Sequence, residues 1–198
     1  VKSKYQIVTG MDDVTPDKSA LWQEVESILR QVSAQFGYQE IRTPKFEDTK
    51  LFNRSIGEDT DIVSKEMYSW IDQGGNNLTL KPESTASVVR SAIQHNLINI
   101  NNVNRLYYID SLFRRERPQK GRFRQFEQFG VEAIGTNNPE QDAEVVSMAY
   151  CFYNNMKIKN LKLKINSIGS RETREKYKKS LHSYLSRYKN DLSDISKK

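Results

Sequence analysis

Residues Phe113-Arg114-Arg115-Glu116-Arg117-Pro118-Gln119-Lys120-Gly121-Arg122-Phe123-Arg124-Gln125-Phe126-Glu127-Gln128 form the densest concentration of chemically capable side chains in the chain, with six cationic residues in sixteen. An arginine guanidinium is a planar fork of donors matched to phosphate oxygens, and a flat aromatic ring can stack on a nucleobase. Pro118 and Gly121 mark a loop, so the extended segments on either side are predicted to be an antiparallel pair with the basic loop projecting beyond them. Side chains alternate across a strand, which puts Arg124, Phe126, Gln128, Gly130, Glu132 and Ile134 on one face. Arg114 and Glu116 share a face of the partner strand by the same parity. If the two faces coincide, one surface offers an arginine for phosphate, a ring for stacking, and carboxylate and amide groups for recognition. That set suits a nucleotide held beside an amino acid. The loop taken alone also fits a solvated hairpin with internal ion pairs, just as Phe126 alone fits a core residue and Glu132 alone a partner for an arginine.

The elements that must position these groups are legible in outline. Thr15-Pro16 reads as a helix start, because the fixed φ of proline suits the first turn and its missing N–H costs nothing there. Leu21, Val25, Ile28, Val32 and Phe36, with Trp22 and Leu29 beside them, give a core-facing stripe ending near Gly37. Tyr38 to Thr43 reads as a strand with Pro44 at its end or edge. Met67 to Ile71 and Leu78 to Leu80 form a predicted hairpin around Gln73-Gly74-Gly75-Asn76-Asn77. Pro82 opens a predicted helix running to about Asn96, with Glu83 in the first turn, where the helix dipole favours a carboxylate. Strands are predicted over Arg105 to Phe113 and Phe123 to Ile134. A helix from Asn138-Pro139 carries Ala143, Val146, Tyr150 and Tyr153 near one face. A last strand, Leu161 to Ile165, turns through Asn166-Ser167-Ile168-Gly169 into a final helix. Hairpins dominate the middle, so the fold class is α+β: an antiparallel sheet flanked by helices.

A chain of 198 residues with 36% hydrophobic content is long enough for one domain with a real core. One cysteine, Cys151, cannot form an internal disulfide, and with His95 and His182 it makes no zinc constellation, so no structural metal is expected. No apolar run approaches a membrane span, and Val1 to Gly10 lacks the apolar core of a secretory signal, so a cytoplasmic location with no membrane partner is expected. The net charge of +6 suits a polyanionic partner without specifying one. The Lys/Arg-rich stretch from Arg171 reads as a solvated helical face.

The 113–128 stretch closely resembles motif 2 of class II aminoacyl-tRNA synthetases, and its Arg117-Pro118-Gln119-Lys120-Gly121-Arg122 loop resembles the histidyl branch. Gly10 through Pro16 resembles the opening segment of that family, and Arg42-Thr43-Pro44 the end of motif 1, whose proline lies at the family's dimer interface. Lys81-Pro82-Glu83-Ser84-Thr85 resembles the histidine-binding segment, departing from the commoner Arg at the first position and Gly at the fourth. Asn166-Ser167-Ile168-Gly169-Ser170 also matches a segment following motif 2, so the likeness covers nearly the whole chain.

The resemblance implies a class II catalytic-domain fold and a histidine–tRNA ligase that uses ATP with Mg²⁺, L-histidine and tRNA(His) and acts as a homodimer. It implies that Arg114, the expected catalytic residue, contacts the α-phosphate and the histidine carboxylate, that Glu116 recognises the adenine edge, that Phe126 stacks on adenine, and that Arg122 reaches the outer phosphates. Glu83 and Gln128 would bind the substrate ammonium with Ser84 and Thr85 in the same subsite, and Glu132 the imidazole. Two rivals would keep parts of the pattern: a regulatory paralogue acting on ATP phosphoribosyltransferase, which does not need Arg114, Glu116 and the loop intact, and a non-catalytic RNA-binding module, which predicts salt-sensitive RNA binding without ATP or histidine.

Residues 1–198 show no Gly-rich, arginine-ended stretch resembling motif 3, no second histidyl signature and no anticodon-binding domain, so they are expected to be the N-terminal portion of a longer catalytic domain. The purified 198-residue chain is expected to show no histidine-dependent ATP–pyrophosphate exchange, and robust exchange by it would contradict that reading.

Overall fold

In the computed structural model the first helix, α1, begins at the predicted proline and spans Pro16–Gln35. The structure describes residues 4–57, 60, 62–98, 102–167 and 169–193. The Thr15 carbonyl accepts from the N–H groups of Lys18 and Ser19 at 2.9 Å each. The Thr15 side chain makes no capping bond. Burial is confined to the second half of α1, at Leu29, Val32 and Ser33, with Ile28 and Phe36 beside them. Leu21 and Trp22, predicted to face the core, are exposed. Helical periodicity shows which side is apolar but not how far along the helix a neighbour extends.

Two three-stranded sheets follow. In the first, β1 (Gln39–Glu40), β5 (Asn104–Phe113) and β6 (Gln125–Ile134) lie in the order β1-β5-β6. The β5–β6 ladder is antiparallel, from Asn104 opposite Ile134 to Phe113 opposite Gln125. β1 runs parallel to β5, a pairing that the long intervening chain permits. It is shorter than the predicted 38–43 strand, although Ile41 N–H still donates to Tyr107 O at 2.8 Å. In the second sheet, β2 (Phe46–Asp48), β3 (Ser69–Ile71) and β4 (Asn77–Leu80) lie antiparallel in the order β2-β4-β3. The predicted hairpin joins β3 to β4. Its turn is closed by Asp72, whose carboxylate accepts from Asn76 N–H at 2.8 Å, and by Gly75 at a φ of 82°.

Helix α2 (Thr49–Ile56) is capped by the Asp48 carboxylate, which accepts from Lys50 N–H at 2.8 Å. A π-helical turn spans Ile62–Glu66. Helix α3 spans Thr85–Gln94, so Pro82 and Glu83 precede the helix rather than open it. The proline signal was misplaced because this proline lies in an extended strap with a tertiary role of its own. Helix α4 (Pro139–Asn155) begins where predicted. It buries Met148, with Cys151 against the same cluster, while Tyr150 and Tyr153 of the predicted face are exposed.

Residues Asn160–Lys198 form a separate unit. Leu161 to Ile165, predicted as a strand, make no ladder among the described residues. Helix α5 (Arg171–Ser186) is capped by Ser170, whose hydroxyl accepts from Thr173 N–H at 3.2 Å, and it buries no residue. Ile168 of the predicted turn before it lies outside the described residues.

The β5–β6 sheet is covered on both faces. Tyr107, Ile109, Phe129 and Val131 pack with Val32, Tyr38 and Met148 on the side of α1 and α4. Leu106, Tyr108 and Ile134 pack with Val88 and Ala92 of α3 on the other. Tyr108 lies opposite Gly130 in the ladder, and a Cβ added at residue 130 would overlap the Tyr108 Cζ and Oη atoms. Gly130→Ala is expected to destabilise the fold by about 1–3 kcal/mol, read as a shifted midpoint in urea unfolding.

Candidate active site

In an antiparallel ladder, residues directly opposite project to the same side. Phe126, Gln128, Gly130 and Glu132 therefore share a face with their partners Leu112, Asp110, Tyr108 and Leu106. Leu106 and Tyr108 pack against α3, so the segment leading into α3, residues 82–85, runs along one end of this face.

One end of the face is cationic and aromatic. Arg114 sits immediately after β5, its guanidinium carbon 5.2 Å from the centre of the Phe126 ring, and its Nε donates to Pro82 O at 2.8 Å. Arg114 N–H donates to Arg124 O at 2.9 Å, closing the base of the loop. Glu116 is nearly enclosed, and its Oε2 lies 3.3 Å from Arg122 Nε without hydrogen-bond alignment. Arg122 is mostly exposed. Arg124 Nε donates to Glu116 O at 3.3 Å, its NH1 group to Thr9 O at 3.1 Å, and its backbone N–H to Gly10 O at 2.6 Å. Gly10, at a φ of 86°, admits this approach, since a Cβ there would stand 2.8 Å from the Arg124 side chain.

The other end is anionic. Thr85 Oγ1 donates to Glu132 Oε1 at 2.8 Å, and Glu83 Oε1 accepts from Ala86 N–H at 3.0 Å. Burial pushes the Glu132 carboxyl above the usual carboxylate range; the Thr85 hydroxyl opposes that shift and the Glu83 carboxylate adds to it. Burial likewise pushes the Tyr108 hydroxyl up to about 12, with Glu132 next in effect. Two carboxylates that raise the energy of negative charge at one spot favour a cation there, such as an ammonium or an imidazole N–H.

The structure thus brings Arg114 and Phe126 together at one end, Glu83, Thr85 and Glu132 at the other, and places Gln128, half-buried, on the same sheet face between them. Ser84 caps α3 by position, but its buried hydroxyl has no hydrogen-bond partner. Pro44 is exposed, between β1 and β2. Sequence parity missed Tyr108, Asp110 and Lys81, although a glycine within a strand, as at position 130, signals a large neighbour across the ladder. A cavity of about 740 Å³ lies between α2 and α3, lined by Leu51, Ile56, Val89 and Ile93 together with Glu83 and Thr85. It does not reach Arg114 or Phe126. No three His, Cys, Asp or Glu side chains gather into a metal cage among the described residues. No described helix is long and apolar enough to cross a membrane.

The family described as histidyl-tRNA synthetase matches residues 10–172, a range that includes every predicted site residue. The chain is similar to a histidine–tRNA ligase of Chlorobium luteolum, 45% identical over 196 residues, covering 98% of this chain and 46% of that protein. It is 50% identical over 178 residues to a histidine–tRNA ligase of Anoxybacillus flavithermus, covering 89% and 42% of the two. Among solved structures it is similar to the apo S. aureus histidyl-tRNA synthetase, with 38% identity and a TM-score of 0.75 over 98% of this chain and 45% of that one. The chain therefore spans under half the length of these relatives.

A carboxyl whose pKa rises on folding supports the fold in its protonated form: its contribution is whole below the unfolded pKa and is lost as pH rises through the folded one. Ionised Glu132 therefore costs stability at neutral pH. Glu132→Gln is expected to melt at or above the parent temperature at pH 8, with the difference shrinking as pH falls toward the ordinary glutamate value of about 4.3. Thermal melts across pH check this, and a deficit in the variant that grows with pH would contradict it.

Proposed function

Because the chain belongs to the histidyl-tRNA synthetase family, we propose that it forms the first portion of the catalytic domain of a histidine–tRNA ligase, which activates L-histidine with ATP and transfers it to tRNA(His). The observation that carries this reading is the separation of charge along one sheet face: Arg114 on Phe126 at one end, the Glu132–Thr85 pair and Glu83 at the other. Such a cleft is matched to a substrate with a cationic amino acid at one end and polyphosphate at the other.

In the proposed first step a histidine carboxylate oxygen attacks the α-phosphorus of ATP in line, forming histidyl-adenylate as the bond to the bridging oxygen breaks and pyrophosphate leaves. In the second a hydroxyl of the terminal tRNA ribose attacks the histidyl carbonyl and AMP leaves. Neither step needs a covalent bond to the protein, so the contribution of this chain is positioning and charge stabilisation. Arg114 would contact the carboxylate and the α-phosphate together. Phe126, beside Arg114, would stack on adenine. Glu116 would take the adenine edge, which supplies the donor that its buried Oε2 lacks. Arg122 would exchange Glu116 for the outer phosphate oxygens. Glu83, Ser84, Thr85 and Gln128 would surround the ammonium, and Glu132 would accept from the imidazole. Mg²⁺ would come as counter-ion of the ATP phosphates, since the described residues offer it no cage of their own. Pro44, exposed ahead of β2, would lie against a second copy in a homodimer.

Arg114→Ala in the full-length enzyme is expected to lower histidine-dependent ATP–pyrophosphate exchange by about 10²–10³-fold or more. Unchanged exchange in that variant would refute the assignment. Calorimetric titration of the full-length protein with histidine and ATP separates this reading from a purely RNA-binding role.

A further inference from the structure

The residue that begins the 81–85 strap is a lysine, Lys81, whose side chain is 0% exposed. Its ammonium is ion-paired with Asp110, itself 7% exposed, and donates to Thr43 Oγ1 at 2.8 Å. Asp110 also pairs with Lys45, whose side chain is 56% exposed. The Lys81 backbone adds two further links: its N–H donates to Lys45 O at 3.0 Å, and its carbonyl accepts from Phe113 N–H at 2.8 Å. Residues 43–45, the end of β5 and the strap all meet on this one residue. The next residue is Pro82, whose carbonyl holds Arg114 Nε at 2.8 Å.

Burying an ammonium is costly unless it is paired and hydrogen-bonded, and an apolar side chain of similar length would fill the same space without that cost. What the charged cluster supplies over an apolar one is direction: the Lys81 ammonium fits only with Asp110 and Thr43 in fixed places. Asp110 lies opposite Gln128 in the ladder and on the same face, so the same cluster reaches the middle of the candidate site. We infer that Lys81 is a positioning residue which, through Asp110 and Thr43, fixes the Pro82 carbonyl and thereby the aim of the Arg114 guanidinium. This rests on the adenylate-forming role proposed above. Burial presses the Lys81 ammonium toward a lower pKa while Asp110 opposes it, in keeping with a charge held by its partners.

The test is histidine-dependent ATP–pyrophosphate exchange by the full-length enzyme, with the melting temperature measured on every variant. Lys81→Met combined with Asp110→Leu removes both buried charges at similar volume and leaves Lys45 in contact with water. The double variant is expected to melt near the parent temperature, to keep KM for histidine and ATP within about 3-fold, and to lose roughly 10- to 100-fold in kcat, because a misplacement of about 1 Å acts on the transition state. Lys81→Arg, which keeps the charge and the donors, is expected to restore kcat to within about 3-fold. A double variant that exchanges at the parent kcat would make Lys81 merely structural and overturn the inference. Thr43→Val strands no charge and provides a second test if the double variant does not fold. It is expected to lower kcat a few-fold at unchanged KM and melting temperature, and an unchanged kcat overturns the inference. Absence of exchange in the parent enzyme would overturn the proposed function and this inference together, whereas exchange in the parent confines any failure to Lys81.

Discussion

The ten-pair register between β5 and β6 is the constraint on which the rest of the molecule depends. Side-chain direction has a period of two, so a slip of one residue would move Phe126, Gln128 and Glu132 to the side packed by α1 and α4, and bring Phe129 and Val131 into the cleft. Both hydrophobic clusters oppose that slip, one on each face of the sheet. Gly130 adds a steric lock, because at that height no other residue type leaves room for the Tyr108 ring. The chemistry of the face is thus fixed by packing that has no chemistry of its own.

The strap between β4 and α3 converts this register into a cleft. Its first residue is the buried Lys81, its second holds Arg114, its third and fifth supply Glu83 and Thr85, and its fourth is the helix N-cap. Five consecutive residues therefore connect the cationic end of the face with the anionic end. Half-burial at both ends lowers the local dielectric, so each charge is felt more strongly by a ligand than it would be in open water.

Much of this was legible in the sequence, and the misses share a cause. The parity of Phe126, Gln128 and Glu132, the loop at Pro118 and Gly121, and the turn at Gln73 to Asn77 are local properties, set by alternation and by residues that favour turns. The start of α3 was misread because Pro82 carries the same signal in a helix and in an extended strap, and only its bond to Arg114, thirty-two residues away, decides between them. Leu21 and Trp22 were placed on a core-facing stripe, and Tyr150 and Tyr153 near one helical face, because periodicity records apolarity and not the presence of a neighbour. Lys81 and Asp110 were overlooked as a pair because charged residues are ordinarily exposed, and no local rule announces that two of them are buried against each other. The functional assignment drew its specificity from the combined motif, since each site residue taken singly had an ordinary explanation.

The Leu161–Ile165 segment, which makes no ladder among the described residues, leaves Leu163 and Ile165 largely exposed. Alternating apolar residues with free backbone groups are a template for intermolecular strand addition. Lys162 and Lys164 interrupt that template at every second position. Two such segments meeting edge to edge would bring like charges together across the new pair, which disfavours that pairing.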